Sequence, residues 1–197
     1  MCIRDRYLHA AEFFTRSCNP DSPTEYGTTM TCGSASVAAS DFLPFYLSRI
    51  DRFGSTPETL RLDCPEMQAA MRQYHALEKF SCKQNWWGDS IQKFAEGKTA
   101  MTVIYSNYAA ELINSGNSVV VGRVGAAILP GCKPLLGGGI VGISRYSQKA
   151  EACKQFFHWY YSADVASLLV RLGGTSPIVD AYEDFQNYSL FPWMNTS

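Results

Sequence analysis

Between Phe94 and Tyr108 the chain reads FAEGKTAMTVIYSNY, and this run restricts the fold more than any other. A helix ends, a glycine turns the backbone, and a β-branched, apolar run begins within two residues. Gly97 suits the left-handed position that follows a helix, and Asp89 is the expected cap at that helix's start. Thr99 to Ile104 carries the composition of an interior strand. A helix that delivers the chain so abruptly into a buried strand must pack on the sheet it feeds, which is the signature of an α/β layer structure. At Tyr105 the sequence turns polar. That end of the strand is expected to lie at a surface, as the floor of a ligand cleft.

The rest of the chain alternates in the same way. Tyr7 to Arg16 predicts a helix with Leu8, Ala11 and Phe14 or Thr15 on one side, broken by NPDSP at 19–23. A short strand is predicted over Tyr26 to Thr31. CGSAS at 32–36 then opens a helix through Phe42, Phe45 and Tyr46, with Pro44 in its first turn or at a kink. Pro65 to Phe80 has Met67, Met71, Tyr74 and Leu77 at helical spacing, with Asp63 or Cys64 as cap. Asn107 to Asn114 predicts a helix and Ser118 to Leu129 strand material. Ser147 to Tyr161 predicts a helix with Ala150, Cys153, Phe157 and Tyr160 on one face. Ser162 is placed to cap the next helix, which ends at Gly173.

Composition narrows the function classes. With a formal net charge of -1 and 18% charged residues, the chain has no electrostatic footprint for nucleic acid or anionic lipid. No apolar run reaches the roughly 20 residues that span a bilayer, and the first residues lack the order of a signal peptide. Seven cysteines, at 2, 18, 32, 64, 82, 132 and 153, form no CxxC pair. No metal site is expected from them, and an odd, even-spread set is a poor disulfide framework. No GxSxG, HExxH or P-loop pattern occurs, so no nucleophile, base and oxyanion donor can be named and no enzyme is expected. Gly137, Gly139 and Gly142 satisfy GxGxxG, but Pro134 interrupts the approaching strand and the next helix starts too late to hold a pyrophosphate. No cofactor is expected.

EGKTAM at 96–101, ILPG at 128–131, LLGGG at 135–139 and GGTSP at 173–177 occur in one order along the chain. Together they resemble the C-terminal half of the family 1 extracellular solute-binding proteins, the carbohydrate receptors of bacterial ABC importers, over about residues 7–194. The resemblance implies an α/β, periplasmic-binding-protein-like (type II) two-lobe fold, present here incompletely. By that reading 1–6 (MCIRDR) is an assembly or reading-frame artefact and 7–136 is the C-terminal lobe. Residues 137–142 form a hinge crossing, 143–173 a returning segment of the N-terminal lobe, and 174–197 a truncated return to the C-terminal lobe. Gly137, Gly138, Gly139, Gly173 and Gly174 would be the hinge residues, since they absorb dihedral change without a Cβ.

Sugar recognition needs flat aromatic faces for the CH faces of a pyranose and planar or hydroxyl groups for its donors and acceptors. The resemblance places ligand contacts at Tyr105, Asn107 and Tyr108, at Ser34 and Ser36, at Gly137 and Gly138, and at Trp193, and the tryptophan pair Trp86 and Trp87, beside Asn85 and Gly88, is a further candidate for stacking on a ligand. Each has a plainer role: Tyr108 as a core aromatic, Asn107 as a cap, Trp86 as a lid on a core edge. The implied function is the substrate-binding component of an ABC importer, which captures an extracellular sugar or oligosaccharide by lobe closure. Its partners would be a carbohydrate and the permease subunits, with no nucleic acid, and the protein would be a monomer. It would work at the extracellular face of the cytoplasmic membrane or in the periplasm, free or lipid-anchored, with the leader upstream of this chain. A receptor of the same fold for a peptide or polyamine is the nearer alternative, and a carbohydrate-active enzyme the farther one. With half of the cleft missing, weak or undetectable sugar affinity and an exposed apolar face on the 147–161 helix are expected.

Overall fold

Parallel pairing organises the first part of the molecule. In the computed structural model the described residues are 3–52, 54, 62–114, 116, 118–129, 131, 133–135 and 137–183, without the side chains of 3, 4, 113 and 114. Strand β1 (Thr28–Thr31) lies parallel to β2 (Ser81–Gln84), with Thr28 opposite Ser81 and Thr31 opposite Gln84. On the other edge of β1 the chain from Thr99 runs in the same direction. Thr99 bridges Tyr26, and the Ala100 and Met101 N–H groups donate to the carbonyls of Tyr26 and Gly27 at 3.2 and 3.0 Å. Farther along, the hydroxyls of Thr29 and Thr102 bond at 2.8 Å. The expected interior strand over 99–104 is therefore aligned with β1 at its start, but it is no regular strand, and only Thr99 is buried, with 100–104 half-buried.

Every β1 residue is buried, so both faces of the sheet are covered. Met30 joins the core built by α1 (Ile3–Phe13), α2 (Ala35–Leu47) and α3 (Pro65–Leu77). Tyr74 anchors that core, with its ring edge-to-face against Phe42 and Phe45 at 5.5 Å each. The close approach of α1 depends on Gly27: a Cβ there would lie 1.9 Å from the Ala11 carbonyl oxygen. Thr15 fixes the same contact by donating to Ala11 O at 2.7 Å and accepting from Gly27 N–H at 3.0 Å. Thr31 faces α4 (Trp87–Ala95), where its hydroxyl bonds Ser90 Oγ at 2.8 Å beside the buried Ile91.

Helix ends match the sequence in part. Gly97, at φ 71°, terminates α4, with Gly97 N–H bonded to Phe94 O and Lys98 N–H to Lys93 O, the paired bonds of a Schellman cap. Asp89 does not cap α4. Trp86 holds the N-cap position and Asp89 sits in the first turn, where a carboxylate still complements the helix dipole. Pro44 lies well inside α2 rather than in its first turn. The single helix expected over 107–114 is a 3₁₀ turn, Ser106–Tyr108, followed by the short α5 (Glu111–Asn114). Residues 118–129 form no strand. Val119 N–H bonds Ala95 O at the end of α4, and Val119, Val121 and Ile128 stay exposed. β-branched residues favour a strand where a sheet edge is available to them, and this segment has no such pairing.

The chain divides into two compact units. The first comprises Met1–Val124 and Ile128–Leu135, the second Gly125–Ala127 and Leu136–Ser197. In the second, α7 (Ala163–Arg171) packs Ala166 and Val170 against Ala181 of α8 (Asp180–Glu183). Ser162 stands at the N-cap of α7, and Gly173, at φ 86°, closes its C-terminus with a second Schellman cap, Gly174 N–H reaching Leu169 O. Helix α6 (Ala150–Tyr160) buries none of its residues, although Phe157 and Tyr160 lie on its less exposed side as the pattern implied. The exposed rings of this helix are Phe156 and Trp159, more than half exposed, and not those of the predicted face, of which Ala150, Cys153, Phe157 and Tyr160 are half-buried. No helix among the described residues is long and apolar enough to cross a membrane.

Candidate functional site

Because β1, β2 and the 99–105 segment run parallel, their C-terminal ends emerge side by side. Three loops follow: Cys32–Ser34 into α2, Asn85–Trp86 into α4, and Tyr105 into the 3₁₀ turn. In open α/β sheets ligands bind outside the carboxyl ends of the strands, since that is where the loops from successive units converge.

Aromatic rings join two of these ends. Trp86, about half exposed, packs against Trp87 with ring centroids 4.5 Å apart and an interplanar angle of 60°. Trp87 in turn meets Tyr105 at 5.0 Å and 78°. Backbone approach joins the third end to one of these, because a Cβ on Gly33 would fall 2.3 Å from the Asn85 carbonyl oxygen. Ser34 caps α2 by accepting from Val37 N–H at 3.4 Å, and its hydroxyl lies 3.2 Å from that of Ser36, with both serines exposed. Asn107 is exposed in the 3₁₀ turn rather than capping it, a position held by Tyr105, and Tyr108 is half-buried.

Electrostatics at the three ends are nearly neutral. Residues 32–36, 85–89 and 105–108 contain no Lys, Arg or His, and Asp89 is their one acid. Beneath them lies Asp41 of α2, buried, whose Oδ2 accepts from Thr31 N–H at 3.3 Å and from Tyr74 OH at 2.9 Å. Burial pushes its carboxyl up from 3.8 to about 6, against the opposing pull of those two hydrogen bonds. The Tyr74 phenol is raised as well, first by burial and then by the Asp41 charge. Asp41 thus pins the last residue of β1 and with it the root of the serine loop. Among the described residues no three His, Cys, Asp or Glu side chains group as metal ligands.

Of the residues expected at a site, Tyr105 and Trp86 are brought together through Trp87, and Ser34 and Ser36 lie on the neighbouring loop. Gly137 and Gly138 are exposed and belong to the second unit. Trp193 lies outside the described residues. Sequence reasoning paired Trp87 with Trp86 beside Asn85, but left out Gly33 and the contacts that connect the loops, Trp87 with Tyr105 and Gly33 with Asn85. The signal for the second was a glycine directly after a strand.

Parallel strands with helices on both faces and a ring-lined surface at the strand ends place the first unit among α/β layer structures. Residues 21–192 match the profile of the bacterial extracellular solute-binding protein family, and the chain belongs to that family. Its fold is similar to that of an ABC transporter solute-binding protein from Agrobacterium radiobacter K84 in complex with ribitol, at 18% identity and a TM-score of 0.75. It is likewise similar to one from Agrobacterium vitis S4 with bound D-mannitol, at 20% identity and a TM-score of 0.74. Each comparison covers 98% of this chain but 50% and 49% of the respective structure, so the chain spans about half the length of these solved proteins. No match was found among curated proteins.

Proposed function

We propose that this chain contributes one side of the binding cleft of an ABC importer's substrate-binding component, and that the cargo is a neutral polyhydroxylated compound, a sugar or sugar alcohol. The observation that carries the reading is the gathering of Trp86, Trp87 and Tyr105 beside exposed serine hydroxyls at the strand ends, without a cation in any of the three segments. Aromatic faces cover CH groups, and hydroxyl and amide groups pair the ligand's donors and acceptors. A peptide carboxylate would call for a cation there and a polyamine for more than the one acid. The sugar alcohols named for the two similar structures agree with a neutral ligand.

In the complete two-lobed protein, ligand contact on both lobes favours the closed state by differential affinity, and the permease subunits recognise that state. Gly137–Gly139 and Gly173–Gly174 serve as the jointed crossings in this proposal, with the protein acting as a monomer at the outer face of the cytoplasmic membrane or in the periplasm. A Cβ added at Gly138 or Gly139 would meet no atom within 4 Å, which leaves their torsions unhindered. The test is a titration of the ¹⁵N-labelled chain with D-mannitol and ribitol. The expected result is millimolar binding, because half of the contacts are absent, with amide shifts confined to 32–36, 85–89 and 105–108. Shifts elsewhere, or none with either polyol, would overturn the assignment.

A further inference from the structure

We infer that Trp87 is the positioning residue of this site: it sets the mutual orientation of the Trp86 and Tyr105 rings and does not itself face the ligand. The inference deepens the sugar-binding reading and rests on it for its ligand arm. Trp87 is the first residue of α4, and α4 is held against the sheet by Ile91, 1% exposed, and by the Ser90 to Thr31 hydroxyl bond. Trp86 precedes the helix in an extended conformation, and Tyr105 stands before a three-residue turn, so neither ring grows from a helix or a regular strand. Both rings contact the Trp87 indole, at 4.5 and 5.0 Å and at steep angles of 60° and 78°.

Steep ring contacts are directional, because the positive edge of one ring meets the negative face of the other. A ring fixed at a helix start and touched on two sides therefore acts as a square between two surfaces. Burial sets Trp86 apart, since it is about half exposed while Trp87 and Tyr105 are both partly buried, so the division of roles rests on the ring contacts and on the anchorage of α4. The angle between the two ligand-facing rings is then fixed before binding, which lowers the ordering cost of association.

Three variants, Trp87→Phe, Trp87→Leu and Trp87→Met, separate positioning from contact. In 3-fluorotyrosine-labelled chain without ligand, the Tyr105 resonance, assigned with Tyr105→Phe, is expected to move to the free-tyrosine position in the Leu and Met variants and to stay displaced in Trp87→Phe. This arm requires no sugar, so an unchanged resonance in the Leu or Met variant overturns the inference whether or not the polyol reading stands. With D-mannitol as probe, Trp87→Leu is expected to raise Kd about tenfold, the scale of one lost aromatic pair, and Trp87→Phe less than threefold. Equal losses in the Phe and Leu variants would make Trp87 a contact residue and overturn positioning. If wild-type chain fails to bind while the fluorine shifts behave as expected, the functional reading falls and the ring geometry stands. Should Trp87→Leu not fold, as judged by its circular dichroism, Trp87→Met and Trp87→Phe supply the same comparison.

Discussion

Asp41→Asn isolates a single buried carboxylate whose cost can be worked out in advance. In the folded chain burial lifts its pKa from 3.8 to about 6. The folded state therefore holds the proton more tightly than the unfolded state. Stability from this group is fully present below about pH 3.8 and is lost as pH rises through about 6. At about 1.4 kcal/mol for each tenfold change in proton affinity, the whole effect is about 3 kcal/mol, of which about 2 kcal/mol falls between pH 4.5 and 7.5. Asparagine keeps an oxygen that can accept from Tyr74 OH and Thr31 N–H and cannot ionise. Urea unfolding of both proteins at these two pH values cancels every other titrating group in the difference. With a slope of about 2 kcal/mol/M, the wild-type midpoint should fall by about 1 M relative to the variant on going from pH 4.5 to 7.5. A difference that stays constant across pH would refute the reasoning, because it would mean that Asp41 ionises as an exposed carboxylate does.

Other consequences follow from single contacts. Gly27→Ala should destabilise the chain by at least about 3 kcal/mol in urea unfolding, since its methyl would sit on the Ala11 carbonyl. Ser90→Ala should cost about 1 to 3 kcal/mol by leaving the buried Thr31 hydroxyl without its partner, whereas Ser90→Ala with Thr31→Val should recover most of that loss. Thr99→Val should be neutral or stabilising by about 1 kcal/mol, as its buried hydroxyl has no hydrogen-bond partner among the described residues, and a lower melting temperature would contradict this. Trp86→Ala should abolish measurable D-mannitol binding in the ¹⁵N titration while leaving the melting temperature nearly unchanged, because Trp86 is about half exposed.

Local chemistry carried some elements through to the structure and not others. Gly97 and Gly173 were legible because a left-handed residue after a helix satisfies two carbonyls at once, and that requirement is met within a few residues. The α3 pattern was legible for the same reason, since its spacing of Met67, Tyr74 and Leu77 belongs to the helix itself, although Met71 of the same stripe is about half exposed rather than core. Residues 118–129 were not, because whether Val119 and Val121 become a strand depends on an edge supplied from elsewhere. Capping at Asp89 failed by three residues: Trp86 already adopts the extended N-cap backbone, and its carbonyl accepts from Asp89 and Ser90 N–H. At the candidate site, side-chain types could be read from the sequence, but the contact between Trp87 and Tyr105 could not. It follows from the parallel alignment of strand ends that lie far apart in the chain.

That alignment also explains why polar groups are concentrated in this part of the interior. Thr28, Thr29, Thr31, Ser81, Ser90 and Thr99 are all buried on or against the sheet, where an apolar run would be usual for strands covered on both faces. Several are tied across elements: Thr28 to Tyr7 at 2.7 Å, Thr29 to Thr102 at 2.8 Å and Thr31 to Ser90 at 2.8 Å. Apolar contacts would hold the same layers together but would tolerate small slides between them, because they have no preferred direction. Hydroxyl pairs fix register, since a displacement of an ångström leaves a buried donor or acceptor unmet. The rings at the strand ends meet at set angles only if the strands beneath them keep their register. The threonine-rich sheet is therefore part of the same device as the aromatic surface above it.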